Sequence, residues 1–305
     1  MAIVKNQIKK ARKEIRDVMR TNLAFIADSM LDQISKKAKK LKPSQILKAL
    51  DDINPRGIPE YKSDLQAGLA VISSEALDQA RKEVPKAKSI KLMENEERLL
   101  FGEFERLPSG IRRRIKFANN LLIGTQIADL QKVIAFQFSQ SSAAETGAGI
   151  ASIVAEELVE VTVVNKIVKS AKDKAEEYIN GNSVAGAAGV TAPNTVNEAR
   201  NAFFFDKETL KQVEAFQFLN LDPVTAICTD LNGTIFAKDD PNAFKFTPPL
   251  HYNCDSWIRP ILRLKPGQEI QKFEPSTKAI EDTIQFCEII GTSMINFSDT
   301  QCHCS

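Results

Sequence analysis

Residues 228–257 read CTDLNGTIFAKDDPNAFKFTPPLHYNCDSW, the segment of this 305-residue chain that is densest in turn-forming and metal-ligating side chains. Its Asn-Gly pair is a strong signal for a β-hairpin, because both residues tolerate a positive φ. We expect a short strand at residues 226–228 before this turn. The alternating apolar and polar residues of 214–219 predict another strand. The turn-forming residues of the segment are Asn232, Gly233, Asp240, Pro241, Pro248 and Pro249.

The same segment contains side chains of the types that bind zinc, namely Cys228, His251 and Cys254. Thiolate sulfur and imidazole nitrogen suit Zn²⁺, and a structural zinc site uses four such ligands. An alternative is that both cysteines are buried as apolar residues and that His251 holds the turn by a hydrogen bond. If zinc is bound, the candidates for a fourth ligand are Asp222, Asp230, Asp255 and the tail residues Cys302, His303 and Cys304.

The N-terminal region has a pattern of its own, because apolar residues recur at helical spacing from Ile8 to Ile34. They predict a long amphipathic helix with one buried stripe, formed by Ile8, Ile15, Met19, Leu23, Ile26, Met30 and Ile34. Residues 1–42 carry 12 Lys and Arg against four acids, a net charge of +8 in a chain of +2. Basic side chains on one helix face gain affinity for DNA by releasing phosphate counterions. The predicted nucleic-acid-binding residues are Lys9, Lys10, Arg12, Lys13, Arg16, Arg20, Lys36, Lys37, Lys39 and Lys40.

The whole chain is predicted to be an α+β protein with two domains. Helical periodicity covers residues 61–82, 111–134 and 156–178, and the Gly, Ala and Pro residues of 186–193 suggest a linker. We therefore expect a long, mainly helical region at 1–185, with a basic N-terminal arm, and a small α+β domain with a β-hairpin at 186–305. A composition of 43% hydrophobic and 26% charged residues excludes wholesale disorder. Because the sequence has no long apolar run, we expect no transmembrane segment and no signal peptide. The chain is therefore expected to start in a cytoplasm.

The order Cys228-x-x-Leu-x-Gly-x-x-Phe, then Asp-Pro, then Pro-Pro-x-His251-x-x-Cys254 resembles the C-terminal domain of phage head morphogenesis proteins, the Mu F-like minor capsid family. Asn197-Glu198-Ala199-Arg200 is similar to the Asn-x-x-Arg helix that precedes this motif in the family. The resemblance covers roughly residues 190–262 of the sequence. The chain departs from the family at two positions. It has Thr225 where many members have the first Cys of a Cys-x-x-Cys pair, and Asp255-Ser256 where they often have Arg and a further Cys.

This resemblance implies a minor head protein without enzymatic activity. Such a protein would associate with the portal and with major capsid or scaffold proteins during head assembly, in several copies per virion. It would lie in the head interior near the portal, reach it from the host cytoplasm, and contact packaged double-stranded DNA nonspecifically, with a role in DNA ejection. Trp257 and Arg259 follow the motif directly and are candidate docking residues.

Two other functions remain open from the residues alone. One is a metal-dependent hydrolase or nuclease of the head, in which His251, Asp230, Asp239 and Asp240 would hold a metal and activate water. The other is a membrane-active ejection protein that uses Ile8–Ile34 as an interfacial helix with a cationic face.

Overall fold

A computed structural model describes residues 2–38, 53–85, 109–147, 156–220, 223, 225–251 and 254–289. The long helices are α1 (Ala2–Ala38), α2 (Ile58–Glu83), α3 (Ser109–Gly147), α4 (Glu156–Asn180) and α5 (Asn182–Phe204). They are followed by α6 (Lys207–Leu210), β1 (Ala215–Leu219), α7 (Ala226–Leu231), β2 (Ile235–Ala237), α8 (Ala243–Phe246), β3 (Trp257–Ile261) and α9 (Thr277–Ile289). The predicted α+β class, with a long helical region before a small sheet, is confirmed.

Helix α1 buries the apolar stripe that the sequence predicts. Each of its seven residues, from Ile8 to Ile34, is at most 2% exposed. Apolar side chains three or four positions apart share one face of a helix, which is why this pattern could be read directly from the sequence. No helix in the described ranges has an apolar stretch long enough to cross a membrane.

The chain folds into two compact units, neither of which is continuous in sequence. The mixed unit, which includes the sheet, comprises Met1–Ile15, Gln66–Phe117 and Ala188–Ser305. The helical unit comprises Arg16–Leu65 and Ala118–Ala187. The start of the predicted basic arm thus belongs to the same unit as the C-terminal motif, a grouping that differs from two consecutive domains at 1–185 and 186–305.

A three-stranded antiparallel sheet in the order β2-β1-β3 forms the centre of the mixed unit. In the central strand, Phe216 lies opposite Phe236 of β2 and Pro260 of β3. Phe236 in turn stacks on Phe273, with ring centroids 3.8 Å apart and planes 11° from parallel. The rings of Phe216, Phe236 and Phe273 therefore pack on one face of the sheet.

The predicted strand at 226–228 is wrong, because these residues begin helix α7. Ile227 favours a strand locally, but Thr283 on α9 accepts a hydrogen bond from the Ile227 N–H at 3.0 Å and caps the helix from 56 residues away. The chain leaves α7 through Gly233, whose φ of +89° favours glycine. β1 and β2 pair antiparallel, but a helix lies between them, so the predicted tight hairpin at Asn232-Gly233 does not form.

The predicted linker at 186–193 is also wrong, because helix α5 runs through it with Pro193 inside. Ala188 and Ala192 are buried at 1% and 0% exposure, so these small residues pack in a core. Alanine is the strongest helix former, and composition alone did not separate a packed Ala-rich helix from a linker.

Candidate metal-binding site

Cys228, His251 and Cys254 come together in the mixed unit from three separate segments. Cys228 lies on α7, His251 follows α8, and Cys254 lies in the extended segment before β3. The backbone N–H of Cys254 donates to the carbonyl of His251 at 3.2 Å, which holds these two residues in one turn. The prediction that these three residues lie together is thus confirmed in space.

The geometry of this group suits a metal ion. The Cys228 Sγ lies 3.1 Å from His251 Nε2 and 3.8 Å from Cys254 Sγ. All the potential ligand atoms lie within 4.8 Å of one another, and each residue is at most 2% exposed. Two sulfurs on a tetrahedral zinc ion lie about 3.8 Å apart when each Zn–S bond is about 2.3 Å. The three side chains can therefore hold a metal ion without a large rearrangement of the sulfurs.

The two sulfurs have opposite protonation preferences. The hydrogen bond to Cys254, together with burial, raises the pKa of Cys228 far above its ordinary value, so Cys228 remains a thiol. At Cys254, burial opposes ionisation, but hydrogen bonds from Cys228 and His251 and the charge on His251 outweigh it. The pKa of Cys254 is therefore held well below its ordinary value. A divalent cation would take the place of the shared proton and bind both sulfurs as thiolates.

Two hydroxyl groups lie beside this group. Thr225 is 3% exposed, and Ser256, two residues after Cys254, is fully buried. Ser256 Oγ also accepts a hydrogen bond from Asn220 Nδ2 at 2.7 Å. Thr225 Oγ1 is buried and has no hydrogen-bond partner among the described residues.

The predicted acidic fourth ligands have other partners. Asp230 accepts a hydrogen bond from the Ser276 N–H at 2.7 Å, and Asp255 accepts one from the Arg12 guanidinium at 3.2 Å. Among the described residues, Cys228, His251 and Cys254 form the group of potential ligands that converges, and it includes neither aspartate. Asp222 and the tail residues Cys302, His303 and Cys304 lie outside the described residues.

The predicted turn residues lie in loops of the mixed unit and contact neighbouring segments there. Asn232 Oδ1 accepts a hydrogen bond from the Asn220 N–H at 2.8 Å. Asp240 accepts from the Asn242 N–H and, across 33 residues, from the Phe273 N–H. Pro241 follows it in an exposed turn. The Pro248–Pro249 peptide bond is cis, and Asn201 Nδ2 donates to the Pro248 carbonyl at 2.8 Å.

Some of the predicted DNA-binding residues have partners within the protein, and others are exposed. Lys10 pairs with Glu75, Arg12 with Asp255, and Lys36 with Asp32, and Arg20 donates to the Asn180 carbonyl. Lys9 and Lys13 are exposed, whereas Arg16 and Lys37 are half-buried. Lys39 and Lys40 lie outside the described residues.

The two predicted docking residues differ in exposure. Trp257 is only 3% exposed at the start of β3, opposite Leu219, so its side chain is part of the core. This burial is incompatible with the surface contact that the sequence suggested. Arg259 is exposed and donates to Gln217 Oε1 on the neighbouring strand.

Reasoning from the sequence missed two participants in this region. The signal for Thr225 in the sequence is its position three residues before Cys228, which matches the spacing of a zinc-ligand pair. Glu83, which binds Arg200 through both carboxylate oxygens, is 117 residues away from it, and no local pattern links the two.

Comparison of this chain with protein-family models, with curated proteins and with solved structures gave no match.

Proposed function

We propose that this protein is a structural minor head protein of a tailed phage, which joins the portal and capsid interior during assembly. The observation that carries the proposal is that the motif residues of the resemblance contact one another in the mixed unit. On α5, Asn197 donates to the Ser256 carbonyl at 2.8 Å and Arg200 to the Ile258 carbonyl at 3.3 Å. The helix and the C-terminal segment of the motif are therefore joined by hydrogen bonds, which supports a domain shared with that family.

The arrangement favours a structural role over a hydrolase. Asp230 on α7 and Asp240 in a turn each accept backbone hydrogen bonds, and among the described residues neither joins His251 in a group of potential metal ligands. A metal-dependent hydrolase needs carboxylates at the metal and a water with access to it. The fully enclosed Cys228, His251 and Cys254 are better suited to a structural ion.

The buried stripe of α1 also makes a membrane-active role less favourable than assembly. An interfacial helix inserts its apolar face among lipids. In α1 that face already packs inside the protein, with Met19, Leu23 and Ile26 at 0% exposure. Insertion would first have to remove these side chains from the core of the helical unit.

For DNA contact we propose the exposed lysines Lys9 and Lys13 of α1. Lys10 and Arg12, on the same helix, pair with Glu75 and Asp255 within the mixed unit. Each lysine that neutralises a phosphate releases a counterion, so this binding is nonspecific and weakens with salt.

We propose Zn²⁺ as the ion of the metal-binding site, with Cys228, His251 and Cys254 as ligands. Two thiolates and an imidazole are the donor set that Zn²⁺ prefers, and an enclosed zinc ion would tie α7 to the segment before β3. Purified protein should contain one zinc per chain by mass spectrometry. Cys254→Ser should lose that zinc, whereas the control Cys287→Ser, on α9, should keep it. Zinc-free wild-type protein, purified without chelators, would contradict this part of the proposal.

Sedimentation of the full chain with the portal ring of its own phage tests the assembly role. We expect the protein to pellet with the ring both at low salt and at physiological salt. The double variant Lys9→Gln/Lys13→Gln should still pellet with the ring but should bind DNA less tightly. The salt dependence of its DNA affinity should fall by about two released counterions.

The charge-matched control is Lys265→Gln/Lys278→Gln, which alters two exposed lysines elsewhere in the mixed unit. Deletion of residues 1–42 would be a poorer test, because residues 2–15 belong to the mixed unit and their loss would disturb its fold. If wild-type protein stays in the supernatant at every salt concentration while the ring pellets, the assembly role is wrong.

A further inference from the structure

Thr225 occupies the position that usually caps a helix, yet its hydroxyl does not cap α7. An N-cap threonine ordinarily accepts a hydrogen bond from the second or third N–H of its helix. Here the Ile227 N–H donates instead to Thr283 Oγ1 at 3.0 Å, and Thr225 makes no side-chain cap bond. The α9 threonine therefore performs the capping and leaves the Thr225 hydroxyl available for another contact.

This hydroxyl is nevertheless enclosed. Thr225 is 3% exposed, and its Oγ1 lacks a hydrogen-bond partner in the part of the chain that the structure describes. A buried hydroxyl without a partner costs free energy, which a nearby ligand would offset.

Its surroundings indicate which ligand that is. Thr225 and Cys228 are three residues apart at the start of α7, so their side chains lie on the same side of the helical turn. Thr225 is the N-cap of α7 and Cys228 is the third residue of that helix, so the Thr225 side chain lies over the turn that carries Cys228. The other neighbouring hydroxyl, that of Ser256, already accepts from Asn220. Thr225 is therefore a buried polar side chain at the start of α7 whose oxygen has no hydrogen-bond partner among the described residues.

We infer that Thr225 completes the metal-binding site, so that its hydroxyl, directly or through one bound water, provides the fourth ligand beside Cys228, His251 and Cys254. This inference rests on the proposed zinc site. An oxygen ligand binds zinc more weakly than a thiolate does, and therefore the native site releases zinc more readily than a site with four sulfur and nitrogen ligands. Because Thr225-x-x-Cys228 has the spacing of a zinc-ligand pair, a cysteine at 225 should place a third sulfur on the ion.

The test is a Co²⁺ titration of the full-length, reduced, metal-free protein, followed by competition with Zn²⁺. In wild-type protein, the thiolate-to-cobalt absorption should correspond to two thiolates. Thr225→Cys should raise it by about half, as expected for three thiolates, and should tighten zinc binding at least about tenfold. Thr225→Val should retain the two-thiolate spectrum but bind zinc several-fold more weakly, and Thr225→Ser should behave as wild type.

Thr209→Cys is the matched control. Thr209, on α6 of the same unit, is fully buried, and its Oγ1 likewise has no partner among the described residues. A cysteine there should leave the cobalt spectrum and the zinc affinity unchanged. If folded Thr225→Cys matches Thr209→Cys in both measurements, the role of Thr225 is wrong. If Thr225→Cys does not fold, equal zinc affinities of Thr225→Val and Thr225→Ser overturn the role instead.

The same titration separates this inference from the zinc proposal. Cobalt binding by Thr225→Cys without binding by wild type would support the position of Thr225 beside the site and overturn zinc in the native chain. No binding by either folded protein overturns both.

Discussion

Among the described residues, Arg200 in the mixed unit and Tyr61 in the helical unit are two of the largest fully buried side chains. They are 1% and 0% exposed. Arg200 donates to both oxygens of Glu83, at 2.8 and 2.9 Å. The Tyr61 hydroxyl donates to the side-chain oxygen of Gln126, whose amide in turn donates to Met19 Sδ at 3.5 Å. Both contacts involve a polar side chain inside a core. The Arg200–Glu83 contact joins two charged groups, whereas the Tyr61–Gln126 contact joins two neutral groups.

This difference determines how each core responds to a lost partner. Removal of one member of a buried ion pair leaves a charge in a medium of low dielectric constant. Removal of one member of a neutral pair leaves only an unsatisfied dipole, and an apolar replacement of both members can be nearly neutral. The mixed unit should therefore depend more strongly on its polar contact than the helical unit does.

The largest expected effect is that of Arg200→Met. It should lower the free energy of unfolding by about 3 kcal/mol, near the low end for a buried pair, because Glu83 keeps 21% exposure and part of its hydration. Urea denaturation measures the loss. The control Lys172→Met removes an ion pair with Asp28 in which both side chains are at least half exposed, and its denaturation midpoint should not change measurably.

A double variant sharpens this comparison. Arg200→Met/Glu83→Leu removes both charges, so it should recover part of the stability that Arg200→Met alone has lost. Equal stabilities of wild type and Arg200→Met would mean that the pair contributes nothing. The expectation that the mixed unit depends more strongly on its buried polar contact than the helical unit does would then be wrong.

Parts of the fold that depend on local periodicity could be predicted from the sequence. The stripe of α1 follows from apolar residues three and four positions apart, and all of its predicted members are buried. The strand at β1 follows from alternation over a few residues. In both cases the information lies within one element, and no distant contact reverses the local preference.

Parts that depend on distant contacts could not be predicted in this way. Residues 226–228 have strand-forming side chains, but Thr283 caps them as a helix from 56 residues away. The grouping of Cys228, His251 and Cys254 was predictable, because each ligand type and its spacing are visible in the sequence. The spacing of Thr225 from Cys228 is also visible in the sequence, but the loss of its capping bond to Thr283 is not, because that contact comes from α9.

Tyr61→Phe should have a smaller effect than Arg200→Met. It removes the hydroxyl but keeps the ring, so the cost is that of leaving Gln126 Oε1 without its donor, about 1–2 kcal/mol in the free energy of unfolding. Tyr61→Phe/Gln126→Leu removes both polar groups and should regain most of that loss. If the double variant is no more stable than Tyr61→Phe, the stability lost in Tyr61→Phe does not come from an unsatisfied Gln126 Oε1.

The pH dependence of stability gives Tyr61 a second, independent signature. Burial, and to a lesser extent the nearby Tyr178, raises the pKa of Tyr61 above its ordinary value. Above about pH 10 the unfolded chain releases this proton while the folded chain keeps it, so the free energy of unfolding falls as the pH rises. Tyr61→Phe lacks this proton, and the stability gap between wild type and variant should narrow from pH 8 to pH 11. A gap of constant size in urea denaturation at both pH values would show that the Tyr61 hydroxyl ionises as readily in the folded protein as in the unfolded chain.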